Sequence, residues 1–216
     1  MTVTTATESR KKTLRRDAQR NRERIVAAAR ALFARDGLEV SVDDITREAG
    51  VGMGTLYRHF PTKEELIDAV LEDAFEEVVG LAEHALTEDD AWAGLRGFLE
   101  QVFELRAENR GLKDIIAAQH GPRADAMRAR MRPSLRHMIE RAQGQGSLRK
   151  DFTPEDMPLV FWTVDRVIET TAAIAPDAWR RQLALQLDGL RAEAATPLPQ
   201  RPLTRAQLDR AAGRRP

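Results

Sequence analysis

Residues 41–63, SVDDITREAGVGMGTLYRHFPTK, leave the backbone little choice. Val42, Ile45 and Ala49 recur at helical spacing, and Ser41 with Asp44 three residues on forms a capping-box start. Gly50 follows where a helix end wants a positive φ. A second apolar set, Val51, Leu56 and Phe60, begins at once and is cut off by Pro61. Thr62 and Glu65 repeat the capping pattern and open a third helix with Lys63 in its first turn. Two short helices joined by a tight glycine turn make a helix-turn-helix.

The second helix of such a motif can enter a major groove. Here it carries Thr55, Tyr57, Arg58 and His59, polar groups able to reach phosphates and base edges. The run GVGMGTLYRHFPTKEEL resembles the recognition-helix signature of the tetracycline-repressor (TetR/AcrR) family of bacterial transcription regulators, and the resemblance is strongest over residues 21–66. It implies phosphate contacts from Thr55, Tyr57, His59 and Lys63, and from Arg20 and Arg22 on the preceding helix, with Ser41 and Gly52 at the helix starts facing DNA. Arg58 is the expected base reader, able to pair bidentately with guanine O6 and N7. Met53 and Gly54 offer apolar or close-backbone contact, for instance to a thymine methyl. Asp43 stands where tetracycline repressors carry a basic base-contacting residue, so that contact does not carry over. The spacing of Gly50, Gly52 and Gly54 does not make a phosphate-cradling loop, because no strand precedes it and no Lys-Ser/Thr pair follows.

Charge follows the same division. The chain balances 34 Lys/Arg against 34 Asp/Glu, yet residues 1–35 hold 10 basic and 3 acidic side chains while residues 64–120 hold 4 and 15. A basic leading third ahead of an acidic middle suits a DNA-binding head on a body that does not touch DNA. The absence of cysteine excludes disulfides and thiolate zinc sites and suits a reducing cytoplasm. No apolar run approaches the roughly 18 residues of a membrane span, and the N-terminus lacks a signal-peptide core. A soluble, cytoplasmic protein is expected.

In chain order, residues 1–16 are polar and basic without apolar periodicity and are expected as a disordered arm. Residues 17–63 form the helix-turn-helix head, whose first helix over 17–35 presents Ile25, Val26, Ala29, Leu32 and Phe33. Residues 64–195 form a body of helices expected over 62–86, 88–109, 112–119, 123–143, 153–174 and 176–193. Residues 196–216 are a proline-rich tail in which Thr204 and Gln207 can cap a short helix over 205–211. No strand pattern occurs, so the fold class is all-α.

Nothing points to catalysis. G-x-S-x-G, H-E-x-x-H and Walker patterns are missing, and His59, His84, His120 and His137 have no ligand spacing, so neither metal nor cofactor is expected. In the body, Phe98, Val102, Phe103, Met127, Met131, Leu135, Met138, Phe161 and Trp162 read either as plain core or as the lining of a pocket for a small apolar or amphipathic ligand. The family resemblance implies such a cavity, and a dimer interface on the last two body helices through Val164, Ile168, Trp179, Leu183, Leu187 and Leu190. The combined reading is a homodimeric repressor of a pseudo-palindromic operator, released when a ligand tilts the helix after Thr62. Two rivals stay open: a regulator controlled by a protein partner, and a small all-α enzyme or carrier.

Overall fold

The computed structural model describes residues 3–108 and 122–212. Nine α-helices occur among these residues: α1 (Val3–Asp36), α2 (Val42–Ala49), α3 (Met53–His59), α4 (Lys63–Thr87), α5 (Ala91–Glu108), α6 (Pro122–Gly144), α7 (Met157–Thr171), α8 (Ala178–Leu190) and α9 (Arg205–Ala211). A 3-10 turn at Ala192–Ala194 follows α8. The expected all-α class holds. Extended pairing among the described residues is confined to one isolated antiparallel bridge, Leu148 with Arg191. No described helix is long and apolar enough to cross a membrane. The short helix expected over 112–119 lies outside the described residues.

The chain divides into two compact units, with the boundary at Ala74/Phe75 rather than at 63/64. The shift has a packing cause. The first turns of α4 belong to the head, where Leu66, Val70 and Leu71 are buried and Asp73 pairs with Arg30 of α1 at 3.6 Å. The head core also holds Ile25, Val26, Ala29, Leu32 and Phe33 of α1, with Ile45, Ala49, Leu56 and Phe60. The disordered arm expected over 1–16 is corrected: α1 is continuous from Val3. That stretch lacks an internal proline or glycine and simply prolongs a helix nucleated by the buried stripe downstream.

The second unit has its own apolar core, built from the latter part of α4 and from α5 to α8. Ala85 and Gly94 set the α4–α5 crossing. A Cβ on Gly94 would fall 2.4 Å from the Ala85 carbonyl oxygen, so only glycine allows the two backbones this close. Asp90 caps α5 through the Trp92 and Ala93 amides, while Arg141 of α6 donates to the Leu86 and Glu88 carbonyls at the end of α4. α7 begins at Met157 instead of Thr153. The Asp156 carboxylate accepts from the Thr153 amide and hydroxyl and so folds residues 153–156 into a separate turn. Arg149 is buried and fully engaged. It pairs with Asp151 and donates to the Gly189 and Thr196 carbonyls, strapping the segment after α8 to the unit. The same pairing holds the Asp151 carboxyl below the usual range. The tail helix α9 carries the expected reciprocal capping box between Thr204 and Gln207.

Candidate nucleic-acid interface

Ser41 sits in extended geometry at the start of α2, and its hydroxyl accepts from the Asp44 amide at 3.1 Å. The same hydroxyl donates to the Asp44 carboxylate, which also pairs with Arg47 at 2.7 Å. These two partners, the Ser41 hydroxyl first, hold the Asp44 carboxyl below its ordinary value. At the other end, the Gly50 amide reaches the Arg47 carbonyl and the Val51 amide the Thr46 carbonyl, the paired bonds of a Schellman end. Gly50 is left-handed at φ 61°, ψ 42°. Gly52 takes the N-cap of α3 in extended geometry without a side-chain cap.

α3 buries Leu56 and turns its other side outward. With successive residues about 100° apart, Gly54 and Arg58 stand most nearly opposite Leu56, with Tyr57 and Met53 to one side. Their accessibility agrees: Gly54 and Arg58 are exposed, Met53 is 36% exposed and Tyr57 46%. Thr55 and His59 fall on the other flank and are half-buried. Met53 is steadied from α2, its sulfur 3.7 Å from the Thr46 hydroxyl, which also donates to the Asp43 carbonyl. A Cβ on Gly54 would meet nothing within 4 Å, so the outer face of α3 is low and open there.

The expected contact residues separate into two groups. Arg20, Ser41, Gly52, Met53, Gly54, Tyr57 and Arg58 are solvent-exposed. Lys63, half-buried, and Arg22, also exposed, have partners within the head. The Lys63 ammonium donates to the Leu38 carbonyl in the turn between α1 and α2, and the Arg22 guanidinium lies 5.5 Å above the Phe60 ring. Arg24, on the same helix, donates to the Gly50 carbonyl at 3.3 Å. No sequence signal reveals these partners, which lie 25 to 38 residues away.

The body residues are placed as follows. Phe98, Val102, Phe103, Met131 and Met138 are buried in one core, with Leu135 and Phe161 packed against it and Met127 half-buried. Trp162 is corrected: it is 40% exposed and faces away from that core. A solvent-open cleft of about 460 Å³ lies instead between α5 and α8, beside Trp92, Arg96, Glu100, Leu187 and Arg191, and includes none of the expected pocket residues. The expected dimer-interface residues are corrected as well. Val164, Ile168, Trp179, Leu183 and Leu187 are 4% exposed or less and Leu190 packs against the same core, so this stripe is consumed inside one protomer. The outward face carries Leu159, Trp162 and Ile174 in and just after α7, and Leu185 on α8.

Comparison with known proteins gives this arrangement its relatives. Residues 25–70 match the family model of bacterial regulatory proteins of the tetR family, and residues 90–192 that of the C-terminal domain of SbtR-like transcriptional regulators. A TetR transcription regulatory protein from Mycobacterium vanbaalenii is 33% identical, with 82% of this chain and 99% of that one aligned at a TM-score of 0.62. An HTH-type transcriptional regulator of Staphylococcus aureus is 32% identical over 109 residues, a match spanning 49% of this chain and 58% of that protein. A gamma-butyrolactone receptor, 23% identical with 81% and 90% of the two chains aligned at a TM-score of 0.56, shares the fold. The first of these similarities covers nearly all of its counterpart at substantial identity, and the chain belongs to the TetR family of helix-turn-helix transcriptional regulators.

Proposed function

We propose that this chain is a homodimeric transcriptional repressor that binds a pseudo-palindromic duplex and is released by a small apolar or amphipathic molecule. The observation that carries the DNA reading is the outward face of α3. Arg58 and Gly54 stand opposite buried Leu56, flanked by Tyr57 and Met53, on a helix bounded by Gly52 and Phe60. That face fits groove entry: a bidentate reader at the centre, a phenol at the side, and bare backbone where close approach is needed. Thr55, His59 and Arg20 serve as phosphate donors beside it.

Dimerisation is assigned to the outer stripe of α7 and α8, where Leu159, Trp162 and Leu185 leave apolar surface in water. A two-fold axis through this stripe would pair two heads with two half-sites about one or more helical turns apart, roughly 34 Å each. The ligand is assigned to the core around Phe98, Phe103, Met131 and Met138, whose adaptable methionines can repack around an apolar guest. α4 contributes side chains to the cores of both units, so a ligand that shifts its second half acts on the head through one continuous helix. The shift is limited by the ligand's differential affinity for the two states. That the fold is shared with a gamma-butyrolactone receptor supports a small-molecule ligand.

Selection of duplexes from a random-sequence pool, followed by mobility-shift titration, tests the DNA reading. Recovery of a two-half-site sequence bound well above mixed DNA is expected, and absence of any preference overturns the reading. For the ligand, a thermal-shift screen should find apolar molecules that both raise stability and release DNA. A screen in which no molecule does both would remove the small-molecule part.

A further inference from the structure

Three cations each engage one of the three turns of the head, Lys63 from a half-buried position and Arg22 and Arg24 along its exposed surface. Lys63, the first residue of α4, donates to the Leu38 carbonyl between α1 and α2. Arg24 of α1 donates to the Gly50 carbonyl between α2 and α3. Arg22 of α1 lies over Phe60 between α3 and α4. The Gly50 turn shows how complete this is. Its amide is spent in the Schellman end, its carbonyl is taken by Arg24, and the Arg24 terminal nitrogen lies 2.6 Å from where a Gly50 Cβ would stand. Glycine is favoured there by its φ of 61°, and a Cβ would in addition displace the Arg24 guanidinium from the Gly50 carbonyl.

We infer that Lys63 and Arg24 are positioning residues for DNA recognition: they clamp the turns that set the angle of α3 and do not contribute phosphate contacts. The inference rests on the regulator reading above. A backbone carbonyl carries two lone pairs and a partial negative charge, so a cation on it forms a charge-assisted bond stronger than a neutral one. Two such bonds, one on each side of α2, restrain the helix against which α3 is set. Base readout demands that restraint, because a bidentate pair tolerates little misplacement. Non-specific attraction to the backbone does not.

This difference separates three roles. A phosphate contact, when lost, weakens binding to all sequences alike and reduces the salt slope by about 0.9 per contact. A purely structural residue, when lost, lowers stability and reduces both affinities together without altering their ratio. A positioning residue, when lost, lowers the preference for the selected duplex over mixed DNA and leaves the salt slope unchanged.

The test uses the full chain with two probes, a duplex recovered by selection and a mixed-sequence duplex of equal length. Lys63→Met and Arg24→Met should each reduce the selected-to-mixed affinity ratio about tenfold, with an unchanged slope of log K against log salt. Lys63→Arg and Arg24→Lys, which keep a cationic donor, should recover most of the ratio and carry the test if the Met variants unfold. A slope lowered by one contact with an intact ratio overturns the inference in favour of phosphate binding. Parallel loss of both affinities with a lower melting temperature overturns it in favour of a structural role. Failure of the regulator reading is distinguishable, since wild-type protein would then select no duplex at all.

Discussion

Arg58 gains its importance from what surrounds it. It stands opposite the buried Leu56, and its neighbours on the exposed face are a glycine, a methionine and a tyrosine, none of which matches its five-donor fork. Arg58→Ala is therefore expected to relax base preference by about 1–3 kcal/mol at one position of each half-site, read from affinities for single-base variants of the selected duplex. A uniform loss across all variants would make Arg58 a phosphate contact. Asp44 offers a different residue-scale test. Its carboxyl is depressed in the fold by the Ser41 hydroxyl and then by Arg47. A depressed carboxylate stabilises the folded state above its unfolded pKa and loses that contribution as pH falls through the lower folded value. The stability gap between wild type and Asp44→Asn should thus be full near neutrality and close in acid, below the ordinary aspartate range. A gap that persists unchanged through that range in denaturation at several pH values would rule the linkage out. The cap itself was legible, since Ser41, Asp44 and Gly50 act within one turn of chain. The anchoring of Lys63, Arg24 and Arg22 was not, because each partner lies in a different element.

Helices were legible wherever an apolar stripe met a local stop signal, as α2, α3, α4 and α9 show. The misreadings arose where local signals compete. Thr153-Pro154-Glu155-Asp156 has the composition of a helix start, yet Asp156 bonds back to Thr153 and closes a turn one step before α7. Pro133 lies inside α6 and did not mislead: the helix expected over 123–143 is there, and its stripe of Met131, Leu135 and Met138 holds it to the core despite the lost amide bond. Periodicity identified the stripe of Val164, Ile168, Trp179, Leu183 and Leu187 but not what covers it, since a core face and an interface face look alike along the chain. The α4–α5 crossing depends on a residue that no stripe reveals. Gly94→Ala would press a methyl against the Ala85 carbonyl, and a destabilisation of about 1–3 kcal/mol is expected from the forced separation. Urea denaturation measures it through the midpoint at constant slope, with Gly80→Ala as the control. Gly80 is exposed in α4 with open space at its Cβ position, so that change should stabilise slightly. Equal effects from the two substitutions would mean that the crossing is not close-packed.

At the scale of the whole molecule, burial of the inner stripe within one protomer decides which substitutions separate association from folding. Trp162 and Leu185 are 40% and 57% exposed on the outer face of α7 and α8, whereas Leu183 is 2% exposed on the inner face. A carboxylate on the outer face costs a free protomer little, because the side chain stays in water. In a dimer sealed through that face it would be buried without a partner, at a cost of several kcal/mol per charge by ordinary transfer estimates. A loss of about 3 kcal/mol already raises the dissociation constant by more than a hundredfold. Trp162→Glu with Leu185→Glu should accordingly give a folded monomer, with wild-type helicity by circular dichroism and half the mass by sedimentation equilibrium. Its affinity for a single half-site should persist, while its advantage on the two-half-site duplex disappears, because that advantage comes from the second head being held at high effective concentration. Leu183→Glu should instead unfold the second unit, since the charge enters a core that has no partner for it. A dimer that survives the outer substitutions at micromolar concentration would move the interface off α7 and α8, and the geometry of the two heads would then need another axis.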